Sequence, residues 1–98
     1  MRLEFHPQVS SDISQIVRYY EEVAGLQLAD EFYSELRTAF LRAAGSPGSI
    51  AIREHGIRRV NLERFPYHFL FRVIEDDVVR ILVVRHHGRD PRLGIGRR

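Results

Sequence analysis

The 98-residue sequence contains no cysteine, which excludes a disulfide framework, a thiolate zinc site and a cysteine nucleophile. Long hydrophobic runs are also absent, since the longest apolar stretch, Ile81 to Val84, is far shorter than a membrane span. The first residues lack the apolar core of a signal peptide, so we expect a cytoplasmic protein with no membrane partner. With 44% hydrophobic and 29% charged residues, a chain of this length predicts one globular domain over residues 1–98.

The sequence also contains no lysine, and all fifteen of its basic Lys or Arg residues are arginine. This composition is most typical of codon bias in a GC-rich genome, although it also suits a surface that binds phosphate through guanidinium groups. The distribution of charge is more informative than the net value of +2. Residues 1–45 hold four Arg and seven acidic residues (net −3), whereas residues 46–98 hold eleven Arg and six acidic residues (net +5). The chain therefore has an acidic half and a basic half.

The acidic half predicts one short strand and two helices. Leu3 and Phe5 alternate with polar neighbours, which is the period of a half-buried strand. Pro7 suits the first turn of a helix that ends at Gly25, with one apolar face formed by Val9, Ile13, Ile16, Val17 and Tyr20. A second helical stripe ends at Gly45 and is formed by Leu28, Phe32, Leu36, Ala39, Phe40 and Ala43. Because the connection between the helices is short, we expect an antiparallel hairpin.

The basic half predicts three strands after an irregular segment over residues 49–56. Residues 59–62 alternate as a first strand, and residues 67–74 and 78–86 follow as two longer ones. The fold class is therefore α+β, in the order β-α-α-β-β-β, with a small, mostly antiparallel sheet and the helical hairpin packed on one face. We expect the tail after about residue 92 to be loose.

A three-residue loop at 75–77 best aligns the apolar faces of the two longer strands. It places Val73 opposite Val79 and Phe71 opposite Ile81, because opposed residues in an antiparallel pair share a face. In this register the helix-side face consists of Phe69, Phe71, Val73, Val79, Ile81 and Val83.

The opposite face of the sheet, called the second face below, is predicted to be basic. It carries His68, Arg72, Arg80 and His86 over an apolar floor of Leu70, Ile74, Val78, Leu82 and Val84. Arg72 lies opposite Arg80, and opposed like charges destabilise a sheet unless an anion lies between or above them. Two interpretations stay open: an anion-binding surface suited to RNA, or a solvated face whose arginine stems cover apolar side chains.

The histidines at the end of the last strand have more than one interpretation. Neighbouring strand residues point to opposite faces, so we do not expect His86 and His87 to bind one metal, and no motif indicates a metal or cofactor site. A histidine among arginines is suited to act as a general acid or base toward a ribose hydroxyl. The alternative is a polar strand end that is hydrogen-bonded to the backbone.

Residues 58–73, the acidic turn after them and the ending His86-x-x-Arg89-Asp90-Pro91 resemble the RelE/ParE family. These proteins are the toxins of bacterial type II toxin–antitoxin modules, also called plasmid stabilization proteins. Phe5-His6-Pro7, Gly25-Leu26 and Phe32-x-x-x-Leu36 fit as well, so the resemblance covers about residues 3–92. It implies the same fold, a growth-inhibiting toxin and a cognate antitoxin whose acidic C-terminal segment would suit the Arg-rich half.

The resemblance leaves two activities open. ParE-like members poison DNA gyrase without cleavage residues of their own, and the long helical hairpin slightly favours this branch. RelE-like members are ribosome-dependent mRNA endoribonucleases; for this branch the resemblance implies His86, His68 and Arg59 as catalytic candidates, whereas Asn61 replaces a lysine of the pattern. Candidate contacts to nucleic acid or target are Arg58, Arg72, Arg80, Arg85 and Arg89. A third alternative is an inactive RNA-binding or regulatory module on the same fold.

Overall fold

The computed structural model describes residues 1–75 and 77–98. Its elements are β1 (Arg2–Phe5), α1 (Val9–Ala24), α2 (Leu26–Gly45), β2 (Arg58–Asn61), β3 (Tyr67–Ile74) and β4 (Val78–His86). The predicted β-α-α-β-β-β order is confirmed. Two short 3-10 turns, Pro47–Ser49 and Glu54–Gly56, lie in the connection between α2 and β2. No helix in the described ranges is both long and apolar enough to cross a membrane.

The four strands form one mixed sheet in the order β1-β4-β3-β2. β1 runs parallel to β4, and the other two pairs are antiparallel. The pairs Phe71–Ile81 and Val73–Val79 confirm the register predicted next to the turn. Residue 76, in the middle of the predicted 75–77 loop, lies outside the described residues.

The two helices form the predicted hairpin on one face of the sheet. A single residue joins them, Gly25, at φ 97° and ψ 170°, a backbone conformation open mainly to glycine. α1 begins two residues after Pro7, which lies in the preceding turn. Phe32 and Leu36 are fully buried in the same core cluster as Phe69 of β3, so the predicted apolar stripe of α2 is confirmed.

A β-bulge interrupts the pairing of β3 with β4. Leu70 pairs with Val83, whereas the next residue, Phe71, pairs with Ile81, so Leu82 is an extra residue in β4. Because side chains alternate between the two faces of a sheet, one extra residue moves every side chain after it to the face opposite the one predicted.

The faces predicted for the end of β4 are therefore wrong. Val84 packs in the helix-side core, whereas Val83 packs with Leu70 and Leu82 on the second face. His86 likewise lies on the helix side, where its ring contacts Tyr67. Nothing in the sequence marks the bulge, because Ile81 to Val84 is apolar at every position.

Residues 91–98, called the docked tail below, pack on the second face. Leu93 and Ile95 contact the apolar cluster that includes Leu82 and Val83. Gly94 has φ +85°, and a Cβ atom there would lie 2.5 Å from Val83 Cβ. The expectation of a loose tail is wrong, because Leu93 and Ile95 pack on the apolar floor of the second face, which includes Leu70 and Leu82 as predicted and Val83 in place of Val84.

Candidate functional site on the basic face

Two histidines meet on the second face at the end of β3 and β4. His68 is only 1% exposed, and its Nε2 accepts a hydrogen bond from Arg85 Nε at 2.8 Å. Its Nδ1 lies 2.9 Å from Nδ1 of His87, and the two rings stack with centroids 5.1 Å apart. Because Nε2 is an acceptor, the His68 proton is assigned to Nδ1, which donates to His87. His68 is thus held as a neutral imidazole with both nitrogens engaged.

Arginine charge surrounds this pair. Arg59 Nε donates to Asn61 Oδ1 at 2.8 Å, and its Nη2 lies 3.4 Å from His87 Nδ1. Burial, followed by the charges of Arg59 and Arg85, lowers the pKa of His68 to about 3. Burial and then Arg59 also lower the pKa of His87. Both histidines are therefore neutral near pH 7.

His86 faces the helix side of the sheet, although its ring centroid lies 6.4 Å from that of His87. Its ring meets that of Tyr67 edge-on, with centroids 5.1 Å apart, and its Nδ1 accepts the Gly88 N–H at 2.9 Å. The candidate nuclease set is therefore divided, with His68 and Arg59 on the second face and His86 on the helix side. His87 occupies the place predicted for His86, an exchange that only the bulge explains.

Arg72 and Arg80 oppose each other on the second face, as predicted. Nε of each is buried and has no hydrogen-bond partner among the described residues. Arg80 Nη1 donates to Glu4 Oε2 at 3.4 Å, and its Nη2 donates to the main-chain oxygen of Arg98 at 2.9 Å. Glu4 reaches Arg80 because β1 runs beside β4, with these residues in register. Sequence reasoning missed this ion pair because it did not assign a neighbour to β1.

The remaining candidate arginines differ in accessibility. Arg58 lies on the helix side, where its Nη1 donates to the carbonyls of Pro47 and Ile50 at 2.6 and 3.4 Å. Arg85 is only 7% exposed and donates to carbonyls of the docked tail, as described below. Arg89 is exposed beside His86. Of these three, Arg89 is the side chain that a macromolecular target would meet first.

A separate apolar groove lies between β1 and the helical hairpin. Its cavity of about 520 Å³ is lined mainly by Leu3, Phe5, Val9, Ile13, Phe40 and Leu41, with Arg37 among the residues that border it. Phe5 and Leu41 are 46% and 57% exposed. Large apolar side chains exposed together mark an interaction surface. The period of β1 predicted a half-buried Phe5 but gave no sign that α2 leaves its ring uncovered.

Comparison with solved structures identifies the class of fold. The chain is similar to a structure described as the chromosomal ParDE TA system from P. aeruginosa, with a TM-score of 0.77 and 21% sequence identity. The match covers 88% of this chain and 95% of the other. At that identity it shows a shared fold, which confirms the α+β class.

The family is shown by a sequence model. The model described as ParE toxin of type II toxin-antitoxin system, parDE, matches residues 3–91. The chain belongs to this ParE toxin family, which confirms the resemblance found in the sequence. A search of curated proteins gives no match.

Proposed function

We propose that the chain is a toxin that inhibits DNA gyrase and is neutralised by a cognate antitoxin. This choice of target is supported by the placement of His86 on the helix side of the sheet, against Tyr67, whereas His68 lies on the second face, where its Nε2 accepts from Arg85. Cleavage of RNA needs an acid and a base within reach of one ribose–phosphate unit. His68 is buried with both nitrogens engaged, and His86 faces the opposite side of the sheet, which favours a toxin that does not cleave RNA with this pair.

The apolar groove supports the antitoxin half of the proposal. Its apolar lining suits the apolar face of an amphipathic helix, and Arg37 at its border suits an acidic segment. We therefore expect the adjacent reading frame to encode a small protein with an acidic, disorder-prone C-terminal segment. Absence of such a neighbour would count against the toxin proposal.

The ribonuclease remains the second candidate because of one feature of His87. It is exposed and its Nδ1 lies 3.4 Å from Arg59 Nη2, so it has the chemistry of a general base beside a phosphate-binding cation once Nδ1 releases its hydrogen bond from His68. In this version of the hypothesis His87 replaces His86, and Arg59 contacts the scissile phosphate.

Two assays on the purified protein separate the candidates. We expect inhibition of gyrase supercoiling with trapped gyrase–DNA breaks, and no new 5′ ends in mRNA translated by purified ribosomes. Codon-positioned mRNA cuts that disappear in His87→Ala, without any effect on gyrase, would overturn the gyrase proposal in favour of the ribonuclease. If the protein is expressed without an antitoxin and growth is not inhibited, the result would instead favour the third alternative, an inactive RNA-binding or regulatory module.

A further inference from the structure

A second cavity, of about 550 Å³, lies on the second face between β2, β4 and the docked tail. Its lining carries four arginines, Arg53, Arg59, Arg92 and the largely buried Arg85, together with the acidic Glu54. Its floor is apolar and includes Ile57, Leu70 and Ile95. The volume is in the range of pockets that hold small molecules. We call this the rim-arginine cavity.

The positive charge of this cavity is only partly compensated within the protein. Among residues 1–75 and 77–98, Arg92 pairs with Asp90 at 2.9 Å, whereas no ion pair includes Arg53, Arg59 or Arg85. Burial and the charge of Arg53 lower the pKa of Arg59, and burial and the charge of Arg59 lower the pKa of Arg85. The cations thus repel one another, and an anion bound between them would relieve this repulsion.

We propose that the rim-arginine cavity binds a nucleotide, with its phosphate held by the arginines and its base on the apolar floor. Guanidinium groups bind phosphate through charge-assisted hydrogen bonds. Among residues 1–75 and 77–98 the Arg53 side chain donates no hydrogen bond and so presents a free fork, whereas Arg59 and Arg85 already donate within the protein and keep fewer N–H groups for a phosphate. An apolar floor beside them gives a base a surface on which to lie. The nucleotide is either free or the phosphorylated end of a single strand. The proposal goes beyond gyrase inhibition and does not rest on it, since the toxin alone forms the cavity.

The docked tail builds one wall of this cavity. It supplies Arg92 and Ile95, and its carbonyls at Pro91 and Leu93 accept hydrogen bonds from Arg85 Nη1 at 2.9 and 2.5 Å. These bonds fix the Arg85 guanidinium at the rim. Binding therefore depends on tail docking, and a bound nucleotide should in turn stabilise the tail, because the two equilibria are linked.

The test is titration of the purified protein with AMP, adenosine, inorganic phosphate and a 5′-phosphorylated oligonucleotide. We expect saturable binding of AMP or of the oligonucleotide, weaker binding of phosphate and none of adenosine. Binding of AMP assigns a free nucleotide, whereas binding of the oligonucleotide alone assigns a strand end. Absence of saturable binding by every phosphate-bearing probe would overturn the proposal.

Two pairs of variants locate the binding. Arg53→Glu should weaken it at least about tenfold, as expected for loss of a charged hydrogen bond, whereas Arg18→Glu, exposed on α1, should not change it. Gly94→Ala, which displaces the tail, should also weaken binding, whereas Gly96→Ala, whose Cβ would meet open space, should not. Equal losses in Arg53→Glu and Arg18→Glu would reduce the effect to net charge and contradict the site. The assay contains no gyrase, so its outcome is separate from that of the proposed function.

Discussion

At the scale of single residues, Asp12 accepts a backbone hydrogen bond from β4 that a neighbouring strand would otherwise accept. β1 pairs with β4 only as far as Ile81, so the N–H of Val84 has no neighbouring strand on that side. Asp12 Oδ2 accepts this N–H at 3.1 Å, and the carboxylate also pairs with Arg97 at 2.6 and 3.2 Å. Both charged side chains are only 13% exposed, so the pair is shielded from water and joins α1, β4 and the docked tail.

Removal of this carboxylate should destabilise the protein. We expect Asp12→Ala to lower the free energy of unfolding by about 3 kcal/mol, because it leaves a buried cation and an N–H unpaired. Asp30→Ala, an exposed carboxylate on α2, should change it by less than about 0.5 kcal/mol. Urea unfolding of the two variants measures both values, and equal small losses would contradict the role given to Asp12.

The buried His68 should make stability depend on pH. Its pKa is about 3 in the folded protein and 6.5 when unperturbed, so between these values the unfolded chain binds a proton that the folded chain does not. This contribution is complete above pH 6.5, and it falls as pH falls toward 3 by at most about 1.4 kcal/mol per pH unit.

The contribution of His68 is measured with the variant His68→Gln, which does not titrate but whose amide oxygen can still accept a hydrogen bond from Arg85. We expect the free energy of unfolding of the wild type to fall more steeply than that of His68→Gln between pH 6.5 and 4. His55→Gln, an exposed histidine, should follow the wild-type slope. Parallel curves for wild type and His68→Gln, measured by urea unfolding, would show that His68 titrates normally.

At the scale of secondary-structure elements, the spacing of apolar residues predicted the helices, the strands and the register next to the turn. The apolar stripe of α2 and the pairing of Val73 with Val79 followed from spacing alone. The bulge at Leu82 did not, because Ile81 to Val84 is apolar on both faces and either alternation satisfies the core. The exchange of His86 for His87 and of Val84 for Val83 on the second face follows from that bulge, so these two errors in the predicted faces have one physical origin.

The docked tail gives a test at this scale. Gly94→Ala should lower the free energy of unfolding by about 2 kcal/mol, because it adds a clash with Val83 to an unfavourable positive φ. Amide hydrogens of residues 91–98 should exchange faster in this variant. Gly96→Ala should match the wild type in both measurements, and an unaffected Gly94→Ala would contradict the close packing of the tail.

At the scale of the whole molecule, the protein separates an apolar surface from a basic one. The apolar groove lies between β1 and the helices, whereas the rim-arginine cavity lies on the opposite face of the sheet. The net charge of +2 conceals this arrangement, because the two helices carry six acidic residues and only three arginines, whereas residues 46–98 carry eleven of the fifteen arginines. A partner that binds the groove therefore leaves the basic face accessible.

Substitution in the groove should weaken antitoxin binding. We expect Leu41→Asp to reduce affinity for the antitoxin at least about tenfold, since it places a charge in an apolar contact. Val23→Asp is a matched control, because Val23 is similarly exposed at 59% but lies outside the groove. Calorimetric titration with the protein of the adjacent reading frame measures both, and equal affinities would place the antitoxin elsewhere.

The proposed inhibition of gyrase requires no cleavage chemistry of the toxin's own. The most direct measurement is the fraction of plasmid DNA linearised by gyrase in the presence of the toxin, after denaturation of the enzyme. We expect linear DNA to accumulate with wild-type toxin and equally with the double variant His86→Ala, His87→Ala. This expectation would be contradicted if no linear DNA formed while the wild-type toxin, but not the double variant, cut mRNA on ribosomes.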